Sequence, residues 1–263
     1  MKIAGLNNAH LHKISDTPNL SGSDHSNSID MIPLNDTEPN RYSWFPFMTV
    51  SLIAINTFIE VAKPLYLPSD TGFWQYWGFM MHFYYTPKLI LSLEGPGVLS
   101  SFSAMFMHGD FFHLLGNMGA LWVFGRRLED ACGAWRFLVF YLLAGTSAHL
   151  LTALVMYNSP IPSVGASGAI FGVMGAYLLL YPARRIRTLV FLSFVPAWPR
   201  IRAGWVVLYF LGVQIIPAID ILFNNGNYGV GYWAHLGGFF SAVFIFLFLR
   251  PEAFARYLSD TPI

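Results

Sequence analysis

The chain has 263 residues, of which 55% are hydrophobic, 17% are aromatic and only 11% are charged. Soluble domains usually carry about a quarter charged residues, so this composition excludes a surface that mostly faces water and favours burial in a lipid bilayer. The net charge of +1 gives no reason to expect a nucleic-acid partner.

The first 43 residues are predicted to form a polar cytosolic tail. Residues 1–40 are rich in Asn, Ser and Asp and lack the apolar run of a signal peptide, so we expect them to be weakly ordered.

Six apolar stretches follow, each near the length of about 20 residues that a helix needs to cross a bilayer. Lipid offers no partners to backbone polar groups, so helix is the expected state. The stretches cover residues 47–67, 111–128, 137–157, 165–181, 203–223 and 228–249. They predict an all-α, six-span membrane domain over residues 44–251, with a short cytosolic tail over residues 252–263.

The basic residues predict the orientation of this domain. If the N-terminus is cytosolic, all but two of the 15 Lys and Arg residues fall on the cytosolic side, the exceptions being Lys63 and Lys88. Both termini are therefore expected in the cytosol.

The loop between the first two stretches, residues 68–105, is unusually aromatic. Aromatic rings favour the membrane–water interface, so we interpret this loop as an interfacial anchor. Direct contact with a substrate is the alternative.

The second, fourth and sixth predicted spans all run inward, so their N-terminal ends share one side of the membrane. The fourth begins near Ser167 and the sixth near His235, and a rise of about 1.5 Å per residue puts both at similar depth. A serine hydroxyl becomes a nucleophile when an imidazole accepts its proton, so the pair predicts a catalytic dyad. The alternatives are a serine bonded to its own helix and a packed interior histidine.

Small residues accompany both members of this pair. They are predicted to allow close packing between helices. These helix-packing positions are Gly165, Gly168, Gly172 and Gly238.

Peptide hydrolysis also requires donors for the tetrahedral oxyanion. His113 and Asn117 lie one helical turn apart and share a face, and the backbone N–H of Ser167 lies near a helix N-terminus. We predict that these three groups form the oxyanion site. The alternative is a polar pair that binds the second span to a neighbouring helix.

Three motifs on alternate spans resemble those of the rhomboid family of intramembrane serine proteases: the run Gly165-Ala166-Ser167-Gly168, Ala234-His235, and His113-x-x-x-Asn117. The similarity covers roughly residues 47–250. It implies a Ser167–His235 dyad without an acidic third member, the oxyanion site above, and substrates that are transmembrane helices. Some members have a tyrosine stacked on the histidine; here Phe171 takes that position.

Two carboxylates are candidates for orienting His235 as a triad member would. Asp110 is more readily explained as the N-cap of the second span, and Asp220 as a residue at the wet boundary of the fifth. The fifth span also contains Pro217, which favours a kink. We therefore expect its outer half to be loosely packed and to admit a substrate helix.

The expected function is an intramembrane serine endopeptidase that cleaves in or near the transmembrane segments of membrane proteins. The alternative is a catalytically inactive rhomboid-like protein that binds membrane clients as a chaperone. A transporter is disfavoured, because no paired broken helices are apparent. The expected partners are transmembrane substrates and the lipid bilayer, and the sequence makes no prediction of oligomeric state.

No cofactor and no metal are predicted. Cys132 is the single cysteine, and the eight histidines contain no HExxH pair. The expected location is a bacterial inner membrane as a multi-pass protein, with a eukaryotic membrane as the alternative.

Overall fold

The computed structural model describes residues 31–37, 39–66, 78, 82–92, 97–192, 195–224 and 231–259. Parts of five predicted segments lie outside these ranges: residues 1–30 and 38 of the polar tail, residue 67 of the first stretch, residues 68–77, 79–81 and 93–96 of the aromatic loop, residues 228–230 of the sixth stretch, and residues 260–263 of the C-terminal tail. The described chain is mostly helical, and its α-helices in chain order are α1 (Phe47–Tyr66), α2 (Pro87–Ser92), α3 (Gly97–Ser103), α4 (Phe111–Ala120), α5 (Arg126–Cys132), α6 (Ala134–Val155), α7 (Ser167–Leu180), α8 (Ala203–Asn224) and α9 (Tyr232–Ser259).

Three helices in the described ranges are long and apolar enough to cross a bilayer: Phe47–Leu65 in α1, Ala134–Val155 in α6 and Ala203–Phe223 in α8. The fourth and sixth predicted stretches form shorter apolar helices, Ser167–Leu180 and Tyr232–Ile245. The second predicted stretch begins as α4 and continues into a π-helical turn, Leu121–Gly125, and then α5. The six-span arrangement stays a prediction.

Helix α7 lies at the centre of the bundle and packs against α6 and α9. Small residues allow these helices to approach backbone to backbone. A Cβ atom on Gly172 would lie 2.5 Å from the Cβ of Ala144 in α6, and a Cβ on Gly238 in α9 would overlap the carbonyl oxygen of Gly168. The positions of α7 and α9 therefore depend on the absence of side chains along their contact.

Two buried carboxylates of α5 hold the segment that leads into α1. Glu129 accepts hydrogen bonds from the backbone N–H groups of Met48 and Thr49, at 2.8 and 2.7 Å, in the first turn of α1. Asp130 accepts from the backbone N–H groups of residues 41–43, at 2.7 to 2.9 Å. The first N–H groups of a helix have no partners within the helix. The carboxylate of Glu129 therefore satisfies two of these donors in α1, and they in turn compensate its negative charge.

A buried ion pair connects α5 to the chain before α1. Arg127 is 1% exposed, and its Nε donates to Asp36 at 2.8 Å. The hydroxyl of Tyr177 in α7 donates to the same carboxylate oxygen, also at 2.8 Å. A buried charge is tolerated only when it is paired and hydrogen-bonded, and both conditions are met for Asp36.

A small antiparallel sheet forms where none was expected. Its strands are β1 (Met31–Asp36), β2 (Arg185–Leu192), β3 (Val195–Ala197) and β4 (Arg200–Arg202), and β2 pairs with each of the other three. The prediction of an all-α fold is therefore wrong at this place, and the prediction of a weakly ordered segment is wrong for residues 31–36. The pairing of β1 with β2 joins segments that are far apart in the chain, which local patterning does not reveal.

Candidate active site

Ser167 and His235 meet at the N-terminal ends of α7 and α9. The Oγ of Ser167 lies 2.8 Å from the Nε2 of His235. His235 is almost fully buried in the first turn of α9. The close approach of Gly168 and Gly238 brings these two helix ends within hydrogen-bonding distance.

Gln214 of α8 determines which nitrogen of His235 carries the proton. Its Oε1 lies 2.8 Å from the Nδ1 of His235, while its Nε2 donates to the carbonyl oxygen of Phe210 at 3.0 Å. An amide oxygen only accepts, so Nδ1 must donate. The neutral ring then presents an unprotonated Nε2 to the hydroxyl of Ser167, which is the tautomer that a general base requires.

Two aromatic rings hold the imidazole of His235 in this position. Phe171, one turn after Ser167, stacks on it with ring centroids 4.5 Å apart and planes 12° apart. Tyr232 meets it edge-on, with centroids 6.4 Å apart. The ring is therefore fixed by contacts on a face and at an edge, in addition to its two hydrogen bonds.

His113 and Asn117 of α4 face the turn that precedes Ser167. Gly165 in that turn has φ of +125°, and a Cβ there would lie 2.7 Å from the Nε2 of His113 and 3.6 Å from the Nδ2 of Asn117. The amide nitrogen of Asn117 is buried and has no hydrogen-bond partner in the described part of the chain. Buried donors are rarely left unpaired, so this one is available to a ligand atom.

Asp110 has a partner of its own, and the two ring nitrogens of His235 face other groups. Asp110 caps α4 by accepting from the backbone N–H of His113 at 2.9 Å, and this bond lowers the pKa of the Asp110 carboxyl. Both ring nitrogens of His235 are already taken, by Ser167 and Gln214, which leaves no position for Asp220. The alternative of an aspartate that orients His235 is therefore wrong.

The turn before Ser167 is held by the chain segment that precedes α4. Tyr85 exchanges two backbone hydrogen bonds with Ser163, and the N–H of Gly165 donates to the carbonyl of Ala104 at 2.9 Å. His108 is buried with its ring edge-on to His113, centroids 5.2 Å apart. Burial, with the charges of His113 and Lys63 adding to it, lowers the pKa of His108 to about 4, so this ring is neutral near pH 7.

A cavity of about 1210 Å³ opens beside the Ser167–His235 pair. His113 and Asn117 line it near the pair, Phe210 and Leu222 line it from α8, and residues 31–33 of β1 line it farther away. The residues that line the cavity therefore include members of both α4 and α8. Among the described residues, no three His, Cys, Asp or Glu side chains are grouped as a bound metal ion would require.

A family model for the Rhomboid domain matches residues 96–252, which include Ser167, His235, Gln214, His113 and Asn117. The chain belongs to the rhomboid family. This match confirms the resemblance seen in the sequence motifs, and with the apolar helices it makes the chain an integral membrane protein.

Curated relatives agree with this assignment. Rhomboid protein 1, mitochondrial, of Saccharomyces cerevisiae is 32% identical over 64% of this chain and 46% of its own length. RHOMBOID-like protein 5 of Arabidopsis thaliana is 30% identical over 57% of this chain and 44% of its own length. Rhomboid protease GluP of Bacillus subtilis is 35% identical over 52% of this chain and 24% of its own length.

The chain thus matches less than half of the length of each of these relatives. The family includes a named protease, which supports an intramembrane protease function. It also includes mitochondrial and plant proteins, so a bacterial inner membrane stays a prediction.

Gln214 was missed as a site residue by the sequence reasoning. The signal was a glutamine in the middle of a mostly apolar stretch, since an uncharged polar side chain at such a depth needs a partner. Its partner lies on another helix, which the sequence alone does not identify.

We expect Gly238→Ala to separate the dyad. The new Cβ would meet the carbonyl oxygen of Gly168, so α9 must move away from α7. Overpacking of this kind costs about 1–3 kcal/mol. The melting temperature and the rate of peptide cleavage should both fall. Gly119→Ala in α4 is the matched control, because a Cβ there meets nothing within 4 Å. Wild-type stability and activity in Gly238→Ala would contradict this account of helix packing.

Proposed function

We propose that this rhomboid is a serine endopeptidase that hydrolyses peptide bonds in or near the transmembrane segments of membrane proteins. Ser167 is the nucleophile and His235 the general base. The observation that carries the proposal is the 2.8 Å contact between the Oγ of Ser167 and the Nε2 of His235, with Gln214 on the other ring nitrogen.

In the first half of the reaction, the Oγ of Ser167 attacks the scissile carbonyl carbon as its proton passes to the Nε2 of His235. The carbonyl electron pair moves to oxygen, and the resulting oxyanion accepts hydrogen bonds from the side chains of His113 and Asn117 and the backbone N–H of Ser167. Such donors act mainly on the transition state, and loss of one typically lowers kcat by about 10²–10³. His235 then gives its proton to the leaving amine, and the C–N bond breaks.

In the second half, a water molecule attacks the acyl-enzyme while His235 accepts its proton. The proton returns to the Oγ of Ser167 as the ester bond breaks, and the carboxylic acid product leaves. Asn117 suits the oxyanion role because its buried amide nitrogen has no partner within the described ranges. The tautomer imposed by Gln214 suits both halves, since Nε2 must begin each one unprotonated.

The same proposal includes a topology of six spans, with residues 1–43 and 252–263 on the cytosolic side. Helices α4, α7 and α9 then enter from the outer side, and the site opens toward that side. The supporting observation is that the N-terminal ends of all three helices carry the clustered polar residues. The uneven distribution of Lys and Arg supports the orientation.

Removal of the hydroxyl tests the dyad most directly. Ser167→Ala should lower kcat for a labelled transmembrane peptide by at least about 10³-fold, since a nucleophile has no substitute. The melting temperature should stay unchanged, because little volume is lost. His235→Ala should give the same loss of activity with some loss of stability. A wild-type protein that binds the peptide but leaves it intact would favour the client-binding alternative.

Gln214 is proposed as a positioning residue. Gln214→Leu removes the acceptor at Nδ1 of His235, so kcat should fall while KM changes little. Gln214→Glu keeps an acceptor of similar shape and should retain most of the activity. The rate at which a fluorophosphonate labels Ser167 should follow the same order and needs no peptide substrate. Equal labelling rates in the Leu and Glu variants would show that Gln214 only fills space.

Helix α8 is proposed as the element that moves to admit a substrate helix. Its apolar window is 22% buried, against 44% for α6, and Ile216 and Phe223 are 76% and 78% exposed. Pro217 removes one helical hydrogen bond in the same half of α8. Residues of both α4 and α8 line the cavity beside the dyad, so movement of α8 would widen it and open a path from lipid.

A covalent link across this path should block it. In a Cys132→Ala background, cysteines replacing Phe112 and Leu222 would be joined by a bifunctional maleimide. Cleavage of a full transmembrane substrate should fall at least about tenfold, while fluorophosphonate labelling of Ser167 continues. The same variant treated with a monofunctional maleimide is the control. Unchanged cleavage after cross-linking would place the entry elsewhere.

A further inference from the structure

The sheet has one buried face and one exposed face. Along β2, Ile186, Thr188 and Val190 are buried, whereas the alternate residues Arg185 and Arg187 are exposed. Successive side chains of a strand point to opposite faces, so the two arginines share the exposed face.

The register of β2 and β4 places arginines directly opposite one another. Arg185 pairs with Arg202, and Arg187 pairs with Arg200. All four side chains are exposed, and within the part of the chain that the structure describes none takes part in a salt bridge or a side-chain hydrogen bond. Like charges at opposed positions destabilise a sheet, so this arrangement is unfavourable unless an anion lies against it.

This arginine cluster lies where a membrane span begins. Arg202 directly precedes Ala203, the first residue of the candidate span in α8. At about 3.3 Å per residue, Arg200 is within roughly 10 Å of that point. The charged groups that lie at this level of a bilayer are the phosphates of lipid headgroups.

The remainder of the exposed face also suits a bilayer surface. Ile32 of β1 pairs with Leu189, and Phe191 continues the same face of β2. Ile32 and Phe191 are exposed, as is Trp198 in the connection between β3 and β4. Apolar and aromatic side chains beside basic ones are typical of surfaces that lie in the membrane interface.

We propose that the four arginines bind the phosphate groups of anionic phospholipids in the leaflet at which α8 begins. Guanidinium groups bind phosphate oxygens through paired N–H donors, and two opposed pairs would bring four of them to one patch. Membrane topology alone requires only that a cytosolic segment contain basic residues, and it does not require them to lie opposite one another in a sheet. The opposed register is the feature that indicates a phosphate site. The proposal does not depend on protease activity.

Binding of phosphatidylglycerol to the full chain in a non-ionic detergent tests the proposal. The apparent Kd is measured by thermophoresis, with phosphatidylcholine and inorganic phosphate as separate arms. Wild type should bind phosphatidylglycerol at least about tenfold more tightly than phosphatidylcholine. Each arginine lost should weaken binding about fivefold, so Arg187→Gln should lose about fivefold and Arg187→Gln/Arg200→Gln about 25-fold. Lys88→Gln, which removes one exposed charge outside the sheet, should have no effect.

Three results would overturn the proposal. The first is wild-type affinity for phosphatidylglycerol in the double variant. The second is displacement of the lipid by inorganic phosphate at equal concentration, which would indicate a site for a free anion. The third is a lower melting temperature of the double variant in the absence of phosphatidylglycerol, because it would mean that the arginines have partners within the protein. Under the proposal that temperature is unchanged or higher, since opposed like charges are removed.

Discussion

The contact between α7 and α9 is the constraint on which the rest of the site depends. A Cβ on Gly238 would overlap the carbonyl oxygen of Gly168, so the two backbones approach more closely than any side chain at position 238 would allow. Only at that separation does the serine at the start of α7 reach the histidine in the first turn of α9. In lipid, where apolar burial does not drive helices together, close backbone packing is the main source of such a contact.

Several buried charges of the protein are held by partners rather than by solvent. Glu129 and Asp130 accept from backbone N–H groups at the entry to α1, and Arg127 is paired with Asp36. Each arrangement meets the requirement that a buried charge be compensated locally. The amide nitrogen of Asn117 is one of several buried polar atoms in the described chain that have no partner, and its location beside the dyad is the reason that we assign it to the oxyanion.

Gln214 links substrate entry to the chemistry in the proposed mechanism. It belongs to α8, the helix proposed to move, yet it accepts the hydrogen bond that sets the tautomer of His235. A displacement of α8 would loosen that bond. After a substrate helix has entered, α8 therefore has to return before His235 is an effective base. This requirement would favour substrates that leave room for α8 to return.

The sequence by itself determined the membrane class, the family and most of the residues that meet at the site, Gln214 excepted. These inferences depend on local facts: apolar runs of bilayer length, and polar residues at the starts of α4, α7 and α9. The partner of Nδ1 in His235, the positive φ of Gly165 and the sheet that joins residues 31–36 to residues 185–192 were decided only by the tertiary structure. Each of these requires two segments distant in the chain to be placed in a particular register. Composition and periodicity describe one segment at a time, so they predict which side chains are polar or buried but not which distant group lies opposite them.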